Sequence, residues 1–165
     1  MDVNGQTPLH GLCSQPEGVF KYQQPEACGL LLDGGADINK QDLVGMTPTA
    51  YAALNRNRTL VLELIKRKAD VNIVDNYGQS PLLHCIQSSV VMEGESSYLE
   101  TARVLLTHPS ININWADQSG NTALSLAVGA GDLKMATLFL KHGADPKVKN
   151  IDGNTAVHSI RDVGE

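Results

Sequence analysis

Large rings are scarce in this sequence: aromatic residues make up 4% of 165 positions, with Trp115 the single tryptophan and only two phenylalanines. A core built without them must come from Leu, Ala, Val and Ile, which suits short helices packed closely together. Long apolar runs are also missing, and the N-terminus is polar, so neither a transmembrane helix nor a signal peptide is expected. Cysteine is sparse. Cys13, Cys28 and Cys85 form no close pair and no metal-ligand spacing, which argues against a disulfide scaffold and fits a reducing compartment, cytoplasmic and/or nuclear. Asn57-Arg58-Thr59 meets the glycosylation pattern, but nothing else in the chain points to secretion. An excess of positive charge is absent too. The net charge of −5 and pI near 5.5 exclude a general nucleic-acid or acidic-membrane binder, which needs a basic face.

What the chain does contain is a repeat, the feature to seek before local structure. Five segments keep one register: Gly5-Gln6-Thr7-Pro8-Leu9-His10, Gly45-Met46-Thr47-Pro48, Gly78-Gln79-Ser80-Pro81-Leu82, Gly120-Asn121-Thr122-Ala123-Leu124 and Gly153-Asn154-Thr155-Ala156-Val157-His158. Their glycines are spaced by 40, 33, 42 and 33 residues. A second marker recurs in phase as Ala36-Asp37-Ile38-Asn39, Ala69-Asp70-Val71-Asn72, Ile111-Asn112-Ile113-Asn114 and, weakened, Ala144-Asp145-Pro146-Lys147. The single domain, 1–165, thus divides into units of approximately 2–41, 42–74, 75–116 and 117–149, with a partial fifth over 150–165.

Each unit has a physical reading. Asp2, Asp42, Asp75, Asp117 and Asn150 stand three residues before the marker glycines, the pattern of a type I turn. Thr7, Thr47, Ser80, Thr122 and Thr155 follow where a hydroxyl caps a helix, and Pro8, Pro48 and Pro81 occupy its first position. A first helix over Thr122–Gly129 and a second, amphipathic one over Leu133–Lys141 show the unit cleanly, the second ending at Gly143. No single unit can bury both helices, so neighbours must stack.

These motifs, G-x-T-P-L-H at a period of 33 and the G-A-D-x-N return, resemble the ankyrin repeat over essentially the whole chain. The resemblance implies an all-α solenoid of stacked helix pairs, with β-hairpin fingers and a concave binding surface. His10 and His158 match the family histidine, whereas Ala50, Leu83 and Ser125 replace it, so its inter-repeat hydrogen bond is expected to be missing in three copies. Glu63 falls among the apolar positions of a second helix and puts packing there in question. Seven extra residues lie between Leu12 and Ala27, about eight around Ser88–Ser97, and one at His108-Pro109-Ser110. The long insertions are expected between the two helices of a repeat, away from the fingers, as the loops Gln15–Gln24 and Ser88–Ser97. The first copy has no polar cap before it and the fifth stops after one helix, as expected of a piece of a longer protein. The resemblance further implies hydroxylation at Asn39 and Asn72, each eight residues after a leucine (Leu31, Leu64).

Catalytic chemistry finds no foothold in the sequence, and the chain is not expected to be an enzyme. His10, His84, His108, His142 and His158 have no partner at metal or triad spacing, and no phosphate loop, dinucleotide glycine motif or zinc pattern is present. No cofactor or metal is expected. Lys66-Arg67-Lys68 reads as compensation of a helix C-terminus.

Binding to a protein or peptide is the remaining route, most simply by a monomer. The central residues of each turn cannot be buried by their own repeat: Val3-Asn4, Leu43-Val44, Asn76-Tyr77, Gln118-Ser119 and Ile151-Asp152, with Met46, Gln79, Asn121 and Asn154 beside them. Leu43, Val44, Met46, Tyr77 and nearby Trp115 are apolar where solvated turns are ordinarily polar, which marks an interaction surface, although Trp115 and Val44 could instead pack between fingers. Tyr51, Leu54, Asn55 and Gln87 are expected along the concave face, with Arg56 and Arg58 near the helix ends. The expected function is recognition within a regulatory or scaffold protein. The alternative is the substrate-targeting domain of a larger enzyme, a transferase or ubiquitin-ligase component.

Overall fold

The computed structural model describes residues 2–17, 23–87 and 97–158. Eight helices lie among them: α1 (Pro8–Cys13), α2 (Gln24–Asp33), α3 (Pro48–Leu54), α4 (Arg58–Lys66), α5 (Pro81–Gln87), α6 (Ser97–Leu106), α7 (Ala123–Gly129) and α8 (Leu133–Lys141). Each odd-numbered helix packs on the even one that follows it. Along the stack α1 meets α3, α3 meets α5 and α5 meets α7, while α2, α4, α6 and α8 form a second row. Four helix pairs thus stand side by side in two layers, an all-α repeat solenoid.

Local chemistry starts each first helix where the sequence places it. The Thr7, Thr47 and Thr122 hydroxyls accept from the amides of His10, Ala50 and Ser125, and Ser80 accepts from Leu83. Such caps are each worth about 1 kcal/mol. The second helices carry caps of their own, Asn57 on α4 and Asp132 on α8. Asn57 is fully buried, and its Nδ2 donates to Gln24 Oε1 at 2.8 Å and to the Gln15 carbonyl at 3.0 Å. One side chain therefore starts a helix and ties it to the preceding repeat.

Leu9, Leu60, Leu64, Leu82, Leu105, Leu124, Met135 and Phe139 fill the space between the layers, all essentially inaccessible. Burying each contributes roughly 1.5–3 kcal/mol. Glu63 does not disturb this core. It lies half-buried at the edge, 2.9 Å from Arg67 Nε, and Arg67 Nη1 reaches Asp33 of the previous repeat at 2.7 Å. The guanidinium lies over α2 where a Cβ on Gly29 would come within 2.8 Å of Nη2, so the glycine makes room for the inter-repeat ion pair.

The fingers differ from the implied β-hairpins. Among the described residues no strand forms, and a single antiparallel bridge joins Ala116 and Thr122. Each finger is one tight turn, too short for a ladder of its own. Residues 18–22 and 88–96 of the two long insertions, and everything past residue 158 in the fifth copy, lie outside the described residues.

Candidate functional site: the finger ridge

Five turns line one edge of the stack: finger 1 (Asp2–Gln6), finger 2 (Asp42–Met46), finger 3 (Asp75–Gln79), finger 4 (Asp117–Asn121) and finger 5 (Asn150–Asn154). In each, the leading Asp or Asn accepts through Oδ1 from the amides two and four residues on, at 2.8–3.1 Å. Its own amide donates back to the residue four ahead, and the glycine amide closes the turn on its carbonyl. The sequence rule of Asp or Asn three before Gly is therefore a statement about one carboxylate or amide oxygen holding a loop.

The fingers are also bonded to one another. The amides of Leu43, Asn76, Gln118 and Ile151 donate to the carbonyls of Asn4, Val44, Tyr77 and Ser119, in each case on the preceding finger, at 3.0, 3.0, 3.4 and 3.1 Å. Two side chains strengthen this ladder: Asn76 Nδ2 donates to the Leu43 carbonyl at 3.0 Å and Gln118 Nε2 to the Asn76 carbonyl at 2.7 Å. Turns that look independent in the sequence thus form one continuous ridge.

On that ridge Leu43 is 70% exposed, Tyr77 65% and Ile151 74%, with Val44 at 44%. Trp115 is 38% exposed, and its indole N–H donates to the Gly78 carbonyl at 2.8 Å. The ring is pinned against finger 3 by its polar edge, part packed and part open. Ser119 and Asp152 are exposed beside these residues. Met46 corrects the sequence reading. It is 8% exposed, because the preceding repeat approaches it closely, the His10 ring lying 3.1 Å from its carbonyl. Gln79 and Asn121 close their own turns and are only partly accessible.

The helix-borne candidates separate into two groups. Tyr51 is a brace for finger 2: its hydroxyl donates to Asp42 Oδ2 at 2.8 Å and accepts from Gln6 Nε2 at 2.7 Å, while its ring meets His10 edge-on at 5.8 Å. Burial, and then the Asp42 carboxylate, push the Tyr51 phenol up to about 12. Asn55 and Arg56 sit at the far end of α3, away from the fingers. Asn55 Nδ2 donates to the Tyr51 carbonyl, and the Arg56 guanidinium lies 5.9 Å from the centre of the Tyr98 ring. Leu54 is half-buried and Arg58 exposed at that same end, and the Gln87 side chain lies outside the described residues.

Asn39 and Asn72 already have a structural task. Asn39 Oδ1 accepts from the Asp70 amide and Asn72 Oδ1 from the Asn112 amide, each at 2.9 Å across a repeat boundary. Asn114 does the same for Asp145 at 2.8 Å. The recurring last residue of the return segment was the visible signal of this role, and the sequence reading passed over it.

Nucleophilic chemistry gains nothing from the three thiols, all free and buried. Burial pushes Cys85 up to about 12; burial, helped by Glu63, pushes Cys28 to about 11; and Cys13 is raised well above the usual thiol range by burial and the neighbouring Cys28. A thiol that does not ionise is a poor nucleophile and a poor metal ligand. Among the described residues no group of three or more His, Cys, Asp or Glu is placed to hold a metal, and no helix is long and apolar enough to cross a membrane. His10 and Ser125 divide the work expected of the family histidine. His10 bonds Thr7 and the next repeat, while the Ser125 hydroxyl accepts from the Thr122 amide at 2.9 Å and so keeps only the local half.

Comparison with known proteins decides the family. The family described as ankyrin repeats (3 copies) matches residues 17–114, and that described as ankyrin repeats (many copies) matches residues 105–158. The chain belongs to the ankyrin-repeat family. It is 32% identical to the ankyrin repeat protein YahD of Escherichia coli (strain K12) over 87% of this chain and 70% of that protein. It is 31% identical to the B-cell lymphoma 3 protein homolog of Mus musculus over 98% of this chain but 34% of the relative. Identity to the human SH3 and multiple ankyrin repeat domains protein 2 is 29%, over 93% of this chain and 8% of that one. The chain thus spans about a third or less of these last two relatives. Ankyrin repeats are in general non-catalytic modules of protein–protein interaction, and an ankyrin ridge with exposed apolar residues on bonded fingers is suited to that work.

Proposed function

We propose that this chain recognises one protein partner, a folded domain or an extended peptide laid across fingers 2 to 5 and the adjoining first helices of the repeats, and that it acts by binding without catalysis. The observation that carries the reading is the exposure of Leu43 and Tyr77 on adjacent fingers that are hydrogen-bonded into one ridge. A finger backbone already ordered by hydrogen bonds has less conformational entropy to lose when its apolar side chains are covered, which favours binding. Aromatic residues in such positions are the usual energetic anchors. Val44, Trp115 and Ile151 extend the surface, and the amides of Asn76 and Gln118 keep its register. Net charge of −5 speaks against nucleic acid as the ligand. The three free thiols fit a reducing setting, the cytoplasm and/or nucleus, and a monomer within a regulatory or scaffold protein is the simplest form.

Affinity capture with the chain and with a Leu43→Ala/Tyr77→Ala variant tests the reading, the fold of both being checked by circular dichroism. A partner retained by the first and lost by the second is the expected result. Equal recovery on both, with folding intact, would refute it.

A further inference from the structure

The fingers differ in what meets the second oxygen of the leading residue. Nine residues after Asp42 stands Tyr51, whose hydroxyl donates to Asp42 Oδ2 at 2.8 Å. Nine residues after Asp75 stands His84, and its Nε2 lies 3.1 Å from Asp75 Oδ2, with both side chains 4% exposed. The same position holds Gly11 behind finger 1 and Leu126 behind finger 4, neither of which has a polar side chain. Among these four positions, only the one behind finger 3 holds a group of the type that changes charge between about pH 5 and 8.

We propose that the His84–Asp75 pair makes finger 3 proton-responsive: the imidazolium locks the Asp75 carboxylate, and loss of its proton loosens the turn that carries Tyr77. The functional consequence rests on the reading of Tyr77 as a partner anchor. Asp75 Oδ1 holds the amides of Tyr77 and Gln79, each at 2.9 Å, so a change at Oδ2 acts on the same carboxylate that shapes the finger. An imidazolium supplies a counter-charge to this buried anion; a neutral ring leaves the anion with hydrogen bonds alone.

Among the described residues, groups on the surrounding elements do not replace that counter-charge. On α3 the only titratable side chain is Tyr51, engaged with Asp42, and α7 has none. On α6 stand Tyr98, Glu100 and Arg103, the last two paired with each other at 3.3 Å on the surface. The neighbouring fingers offer only Asp42 and Asp117, and the adjacent residue of α5 is the buried thiol Cys85. The locking contribution is therefore present on the acid side and is lost when the His84 ring gives up its proton.

The test uses the full chain with no partner, followed by NMR between about pH 5 and 8. It reads the His84 ring together with the amides of Tyr77 and Gln79, and with Ser119 and Asn121, which Asp117 holds in finger 4, as internal controls. The expected result is that the Tyr77 and Gln79 amides move with the His84 titration. Their hydrogen exchange should also quicken on deprotonation several-fold beyond the base-catalysed rise at Ser119 and Asn121. His84→Gln should abolish both effects, and His84→Tyr, which copies the finger 2 arrangement, should give a pH-independent finger. A His84 ring that does not titrate in this range overturns the proposal, as do Tyr77 and Gln79 amides that stay flat while it does, or an unchanged response in a folded His84→Gln chain. With no partner in the tube, these outcomes are independent of the binding reading, which fails separately if Tyr77→Ala leaves partner affinity unaltered at both ends of the range.

Discussion

The imidazole Nε2 of His10 lies 3.1 Å from the main-chain carbonyl of Met46 in the next repeat. Because Nδ1 accepts from the Thr7 amide at 3.0 Å, the ring proton sits on Nε2 and donates across the boundary. His10→Ala should remove both bonds and strand a buried carbonyl, costing about 2 kcal/mol in denaturant unfolding. Ser125→Ala, which loses only the local bond, should cost about 1 kcal/mol. Equal losses would mean that the inter-repeat bond carries no weight.

Gly45 has φ +84°, and a Cβ there would lie 2.6 Å from Asn76 Oδ1 and 2.7 Å from the Asn76 amide. Gly45→Ala therefore combines left-handed strain with a clash against finger 3 and should destabilise by about 2–3 kcal/mol. Gly153 has φ +79° with open space around it, and its replacement by Ala should cost about 1 kcal/mol. Thermal unfolding of the two variants checks the difference.

Two basic residues occupy left-handed backbone, Arg56 at φ 56° and Lys68 at φ 66°. Lys68→Gly should raise stability by about 0.5 kcal/mol, relief of strain outweighing the added chain entropy of the unfolded state. Arg56→Gly also forfeits the contact with the Tyr98 ring, so its gain should vanish or reverse.

How much of this was legible in the sequence follows from the range of the interactions involved. The turn carboxylates, threonine caps and helix bounds were readable because each acts within about four residues of itself. Met46 was misread as exposed because its burial depends on how the neighbouring repeat approaches. The finger-to-finger ladder uses main-chain groups and leaves almost no residue preference, so nothing in the letters announced that Asn76 and Gln118 would be bonded sideways. Arg56 and Lys68 were invisible as strained positions, since the equivalent residues elsewhere, Gly131, Gly35 and Gly143, carry the usual signal and these two do not. His84 was set aside for want of a partner at triad spacing; the partner, Asp75, was nine residues back on a turn.

Tyr51 provides an alkaline signature. An ordinary tyrosine ionises near pH 10, whereas burial and Asp42 raise this one to about 12. Folding therefore favours its protonated form, a contribution fully present below about pH 10 and lost as pH climbs towards 12. Absorbance titration should show a late-ionising component to which Tyr98, also raised by burial and Asp132, contributes, and Tyr51→Phe should remove the Tyr51 part of it. A Tyr51 that titrates with the exposed tyrosines would contradict the bond to Asp42.

The three thiols should resist alkylation in the native chain at pH 8, with labelling of Cys13 and Cys85 proceeding only as fast as the protein unfolds. Added denaturant should accelerate both together, as expected of groups protected by the same core. Rapid labelling of either in the folded state would show that the space between the helix layers is open.

A partner meets a preformed surface only where the fingers are bonded into one ridge before it arrives. Amide hydrogen exchange in the free chain at Leu43, Asn76, Gln118 and Ile151 reads this directly, since each donates to the finger before it. All four should be protected well above their unfolded-chain rates, with Gln118, at 3.4 Å the longest of the set, the least so. Exchange at the unprotected rate at all four would mean separate, loose tips, and no preformed surface for Leu43 and Tyr77 to present.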